Sequence, residues 1–264
     1  MSRLCQLLEG PGIVNGLMRM KLAQTEEEKK QAFKLRFEIF NEELDEGIPE
    51  NESIKMDIDY YDQFCDHLLL FHGSKLIGTY RFLPGENKPK EGFYSATEFD
   101  LSGLDLNPAD CVEAGRACIV SEHRGQKSLM ALLWGIQHYL ELRDKRYLFG
   151  CASLPKISSH DAAKTFLELE RDGKVDRSLG VSVLPDKLEL GEADKGELIL
   201  PPLLRIYLEF GSRVQCEPAF DPIFGCYDLF MLLDRTKLSH WGENLLKRFD
   251  ERQRRGMLNG SSRA

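Results

Sequence analysis

Two spacings of apolar residues run along the chain. Thr25-x-x-Glu28 has the form of a capping box, and Phe33, Phe37, Phe40 and Leu44 then recur three and four residues apart. That spacing predicts a helix ending near 41–44 with one apolar face. A loop rich in Glu, Asn and Pro follows around 47–53. Residues 67–71 and 75–82 read as a hairpin turning on His72-Gly73-Ser74, and Pro84 to Pro89 as a loop. Residues 111–120 read as a strand in which Gly115 marks a bulge or a close backbone approach. After a polar turn at 122–127, Leu129, Leu132, Leu133, Ile136 and Leu140 line one face of a helix, and 147–152 form a buried strand. Residues 158–196 are polar and mixed, with a helix near 162–171. Pro201 opens another helix that Gly211 closes, and 229–233 form the last strand. The order of elements predicts an α/β fold with a mixed sheet.

Composition narrows the class. The chain has 264 residues, 42% hydrophobic and 30% charged, enough for a sizeable core. A net charge of −8 argues against nucleic acid as a partner. The balance is uneven: residues 239–264 hold six Lys/Arg against three Asp/Glu, so this tail is +3 and the rest −11. Seven cysteines without a C-x-x-C pair argue against a disulfide framework or a zinc ribbon, and for a cytoplasmic setting. The longest apolar runs, such as 129–136, fall far short of the ~20 residues that span a bilayer. No signal peptide is read. Met18 and Met20 are alternative starts, so residues 1–20 are expected to be an extension, 21–236 a single domain, and 237–264 a basic tail.

Four groups of residues carry possible chemistry. The turn at 121–128 leads from a strand into a helix whose free N–H groups suit a phosphate, or it is an ordinary βα connection. Arg36, Asp59, Asp62, Arg81, Glu113 and Arg116 supply three arginines and three carboxylates, which make either a site or a buried ion network. Cys151 and His160 can be drawn as a thiol nucleophile and its base, against the commoner case of an inert strand cysteine. No histidine spacing suits a metal, and Ser153 lacks a G-x-S-x-G context. The basic tail, with Lys247, Arg248, Arg252, Arg254 and Arg255, is a solvated end or a contact for anionic lipid.

The spaced set Arg36…Phe40, Asp59-x-x-Asp62, Gly78-x-x-Arg81 and Glu113-x-x-Arg116 resembles the acyl-homoserine-lactone synthases, a branch of the GNAT N-acyltransferase superfamily. EAGRACIV at 113–120, LLWGI at 132–136, FGCASLP at 149–155 and LPPLLRIYLEFGSRV at 200–214 resemble more closely the ornithine-lipid (hemolysin-like, L-ornithine N-alpha-acyltransferase) branch, over about residues 21–236. The resemblance implies a mostly antiparallel mixed sheet flanked by helices and splayed between two central strands, those at 112–120 and 147–152. It implies transfer of a long 3-hydroxyacyl chain from acyl carrier protein to the α-amino group of an amino acid, ornithine first. No cofactor is expected beyond the acyl-phosphopantetheine substrate. Lys127 and Leu129 stand where the usual acetyl-coenzyme A loop has glycines, in keeping with a carrier-protein donor. At 225–227 the chain departs from the Asn and Thr of the ornithine branch.

On this resemblance Glu113 is the general base and Arg116 orients it or holds the acceptor. Arg36 and Arg81 fix the loop carrying Asp59 and Asp62, or bind the acceptor carboxylate. Arg124, Gly125, Lys127 and Ser128 hold the pantetheine phosphate and the carrier protein. Phe33, Phe37, Phe40, Trp134 and Phe149 are core residues or line an acyl tunnel. A lactone-forming signal synthase and a non-catalytic carrier-protein-binding scaffold are the competing readings. Peripheral contact with the inner membrane face is a further expectation.

Overall fold

Thr25 caps the first helix. Its side chain accepts from the Glu28 amide at 3.2 Å, and Glu28 reaches back to the Gln24 amide at 2.7 Å. The helix, α1, covers Glu26–Phe37 and runs on through a π-helical turn at Glu38–Glu43. The protein is described as a computed structural model for residues 13–15, 18–248 and 251. The chain divides into two compact units. One comprises the described residues up to Phe82 with 116–145 and those from 239 onward, and the other comprises 83–115 with 146–238.

In the first unit, β1 (Ile13–Asn15), β2 (Met18–Leu22), β3 (Asp66–His72) and β4 (Lys75–Pro84) follow one another as antiparallel neighbours. Gly73 sits in the hairpin turn at φ +60°, a conformation that costs glycine nothing. The run Leu68-Leu69-Leu70-Phe71 is buried without alternation because helices cover both faces. Leu69 and Phe71 pack on Ala32 of α1, and α2 (Gln126–Leu142) packs on β2 and β3. Met20 is fully buried, so the last residues of the segment expected to be dispensable belong to the sheet.

In the second unit, β6 (Cys111–Ile119) contributes its first half. It pairs in parallel with β7 (Tyr147–Pro155) over only three residues, the last pair being Glu113 and Phe149. Gly150 explains the end of that ladder: a Cβ there would collide with the Ala114 carbonyl oxygen, so only glycine allows the approach. Along its length β7 pairs antiparallel with β11 (Cys226–Asp234), which also carries β9 (Arg213–Val214) and β10 (Ala219–Asp221). A short ribbon joins β5 (Phe99–Asp100) to β8 (Ser182–Val183).

The faces of the β7–β11 pair alternate. Leu154, Tyr227, Leu229 and Met231 meet Phe166 and Leu169 of α3 (Ser159–Arg171) and Leu204 and Leu208 of α4 (Pro202–Phe210). On the opposite face Phe149 packs on Phe93 and Phe230 on Phe99, so the segment 93–100 covers that side. The architecture is the expected mixed, mostly antiparallel sheet with flanking helices. One detail differs from the sequence reading. The irregular residue of β6 is Arg116, at φ +53°, one position after the glycine. An arginine held there costs about 1–2 kcal/mol.

Candidate active site

Six buried or nearly buried charges form one network in the first unit. Arg36, fully buried on α1, donates to Asp57 Oδ1 at 2.6 Å and, with both terminal nitrogens, to Asp62 at 2.7 and 2.9 Å. Arg81 on β4 donates to Asp59 Oδ2 at 2.6 Å, and Arg116 bonds to Asp57 Oδ2. Asp59 and Asp62 belong to a reciprocal capping box on the 3-10 turn Tyr60–Phe64. Three guanidinium groups thus face three carboxylates, as buried charges require. Despite its burial, Asp62 is held well below the usual carboxylate range by Arg36 and Arg81. His67, beside Asp62 at 3.9 Å and edge-on to Phe33, is pushed down to about 4 by burial.

The set expected from the sequence changes one member. Asp57, which the spacing argument passed over, joins Arg36 to Arg116. Glu113 belongs to the second unit, where its two oxygens accept from the Tyr94 and Ser95 amides at 2.7 Å each and from the Ser95 hydroxyl. These amide and hydroxyl groups anchor the Glu113 carboxylate in the second unit. The Arg36 and Arg81 guanidinium groups are committed to aspartates, which favours support of the 57–62 loop over capture of an acceptor carboxylate.

Beyond Ser95 lies a cluster the sequence reading missed. The Cys151 thiol stands 3.6 Å from Ser95 Oγ. Its sulfur and one carboxylate oxygen each from Glu98 and Asp228 lie within 4.8 Å of one another. Burial raises both carboxyls; Asp228 raises Glu98 further, whereas a hydrogen bond from Glu98 lowers Asp228. Burial also pushes the Cys151 thiol well up, so it is a thiol and not a nucleophilic thiolate. His160 sits in the first turn of α3, which covers the other face of the sheet, so a Cys151–His160 couple does not form. The signal available in the sequence was Asp228, an acid at an inward position of an apolar strand.

The start of α2 has the properties expected of an anion cradle. Gly125 occupies the N-cap without a side-chain cap, the first turn carries no acid, and nothing would meet a Cβ at Gly125 within 4 Å. Lys127 is exposed and Ser128 buried. Arg124 is engaged by Glu43 through both terminal nitrogens and donates to the Ile119 carbonyl at 2.8 Å.

Most of the aromatic residues proposed for a tunnel are buried. Phe33, Phe37 and Trp134 are buried in the first unit and Phe149 in the second. The six cysteines among the described residues are free thiols. No helix among the described residues is long and apolar enough to cross a membrane. Residues 240–248 are helical with Lys247 and Arg248 exposed, and the arginines at 252, 254 and 255 lie outside the described residues.

Residues 35–134 match the family described as the GNAT acetyltransferase domain. The chain is 30% identical over 243 residues to an L-ornithine N(alpha)-acyltransferase of Agrobacterium fabrum, covering 85% of this chain and 83% of that protein. A protein of the same name from Brucella abortus is 28% identical over 245 residues, covering 85% and 86%. Among solved structures, the CoA-dependent acyl-homoserine lactone synthase MesI aligns with a TM-score of 0.51 at 13% identity, over 90% of this chain and 94% of that one. FeeM, an N-acyl amino acid synthase from uncultured soil microbes, aligns with a TM-score of 0.50 at 9% identity, over 86% and 97%. At those identities the structural likeness is one of fold.

Proposed function

Because the chain belongs to the family of L-ornithine N(alpha)-acyltransferases and is an N-acyltransferase of the GNAT type, we propose that it moves a long-chain 3-hydroxyacyl group from acyl carrier protein to the α-amino group of ornithine. The observation that carries the acceptor and reaction is the relationship over 85% of the chain to proteins of that activity. The observation that favours a phosphopantetheine donor is the uncapped, acid-free start of α2.

The reaction is aminolysis of a thioester. An α-ammonium has a pKa of about 8, so freeing the amine at pH 7 costs about 1–2 kcal/mol. Positioning and stabilisation of the oxyanion supply most of the acceleration. The thioester lies where the β6–β7 ladder ends, and amides of the irregular stretch at 115–116 polarise its carbonyl. Glu113 receives the proton of the amine through the Ser95 hydroxyl to which it is bonded. The amine nitrogen forms the new bond to the acyl carbon, and the pantetheine sulfur leaves as the thiol. Arg116, with Arg36, Arg81, Asp59 and Asp62, holds the loop from 57 to 62 in place. The amides of Gly125–Ser128 take the phosphate, and Lys127 and Arg124 face the acidic carrier protein. Basic residues of the C-terminal segment meet anionic lipid at the cytoplasmic face, where the product goes.

The test is release of free thiol from 3-hydroxyacyl carrier protein across a panel of amino acids, with the product identified by mass spectrometry. An amide of ornithine is expected. A lactone, or no thiol with any acceptor, overturns the reading.

A further inference from the structure

Two carboxylates lie side by side in the second unit with nothing to neutralise them. Glu98 is 2% exposed and Asp228 4%; as carboxylates, both Glu98 oxygens and Asp228 Oδ1 lack a donor, and a shared proton is what bonds them to each other. Among the described residues neither has an ion-pair partner. The titratable groups around them are acids too: Tyr94, Cys151, Glu113 and Asp221. A buried anion without a partner is expensive, and two together more so, so the pair must hold a proton or a cation.

We propose that the Glu98–Asp228 pair is the seat of the acceptor's side-chain ammonium, and that it selects a diamino acid over a neutral one. This rests on the reading of the protein as an amino-acid N-acyltransferase. An ammonium offers three donors, and three carboxylate oxygens of this pair lack one. The position also suits the reaction. Cys151 follows Gly150, where β7 passes the Ala114 carbonyl at the end of the parallel ladder. The same face reaches solvent at Ser153, the register partner of Asp228, which gives a side chain a way in. When the site is empty the carboxyls share one proton; when the ammonium enters, that proton leaves.

The acceptors that test this are ornithine and norvaline, which is ornithine without its δ-amino group. Wild type is expected to favour ornithine in kcat/KM, and Glu98→Gln and Asp228→Asn are each expected to cut the ornithine-to-norvaline ratio at least tenfold, through the KM for ornithine. The idea is overturned if both acceptors fall by the same factor, which marks a base or a structural role, or if the ratio does not move. Calorimetry of wild type in buffers of different ionisation enthalpy gives a reading independent of any variant: ornithine binding releases about one proton and norvaline binding none. Equal proton release by both, or saturation of the pair by Zn²⁺ or Mn²⁺ alone at micromolar concentration, also overturns it. Thiol release with no amino acid at all would instead sink the proposed function.

Discussion

Arg116 donates to Asp57 across fifty-nine positions of sequence, and Asp57, fully buried, also takes the Arg36 Nε at 2.6 Å. One carboxylate therefore neutralises parts of two arginines. Asp57→Asn leaves both guanidinium groups short of charge, where the loss of one partner of a buried pair costs about 3–5 kcal/mol. Urea unfolding followed by circular dichroism is expected to show a loss of that size. A loss below about 1 kcal/mol means the network is wetter than its burial indicates.

His67 gives the protein a pH dependence of definite sign. Its folded value is pushed down to about 4 by burial, against about 6.5 in an unfolded chain. The unfolded chain therefore binds the proton first as pH falls. The contribution is full above about pH 6.5 and is lost on the way down to about 4, by up to about 3 kcal/mol. Glu98 and Asp228 are raised and act in the opposite sense, being most stabilising below the ordinary carboxyl range. Wild type and His67→Phe must therefore be compared at pH 7.5 and 5. Wild type is expected to lose about 2 kcal/mol more than the variant; equal losses remove His67 as the source.

Glu113→Gln separates anchor from proton acceptor. The amide can present its oxygen to Ser95 or to Tyr94, and its NH2 then faces a backbone N–H on the other side. About 1–3 kcal/mol of stability should be lost. If Glu113 also receives the amine's proton, kcat/KM of the folded fraction falls about 100-fold even at low temperature. Full recovery of activity on cooling would leave Glu113 as an anchor alone.

Lys127→Glu places an acid in the first turn of α2, which has none. Helix stability should rise slightly, by about 0.3–1 kcal/mol. The KM for the carrier protein should nevertheless rise about tenfold, while a free acyl-pantetheine thioester is affected far less. Equal effects on both donors would take Lys127 out of carrier-protein docking.

Much of the scaffold was legible because it is local. The capping box at Thr25, the hairpin turn at Gly73 and the apolar face of α2 each follow from residues a few positions apart. The site was legible only where its members are neighbours in sequence, as Asp59 and Asp62 are in their capping box. Glu113 and Arg116 are three apart, a separation that on a regular strand sends side chains to opposite faces, and the left-handed backbone at 116 that breaks this regularity has no sequence signal. Asp57 carries no local pattern. Glu98 and Asp228 meet only because the segment 93–100 lies over β11, and no periodicity encodes that. Strand β2 was missed although Met18, Arg19, Met20, Lys21 and Leu22 alternate apolar and basic, because residues 1–20 read as an extension and its pairing with β3 lies far off in sequence.

The arginine–aspartate network has a consequence for how the protein is built. Its members come from α1, the loop at 57–62, β4 and β6, and no single segment carries a balanced share. Until all four have arrived, each charge does better hydrated than dry. The network should therefore desolvate late, after the apolar contacts of α1 and β3 have formed, with φ-values near zero at Asp57 and Asp62. Its loss would then show mainly as faster unfolding, making these six charges a latch on the finished fold and not its nucleus.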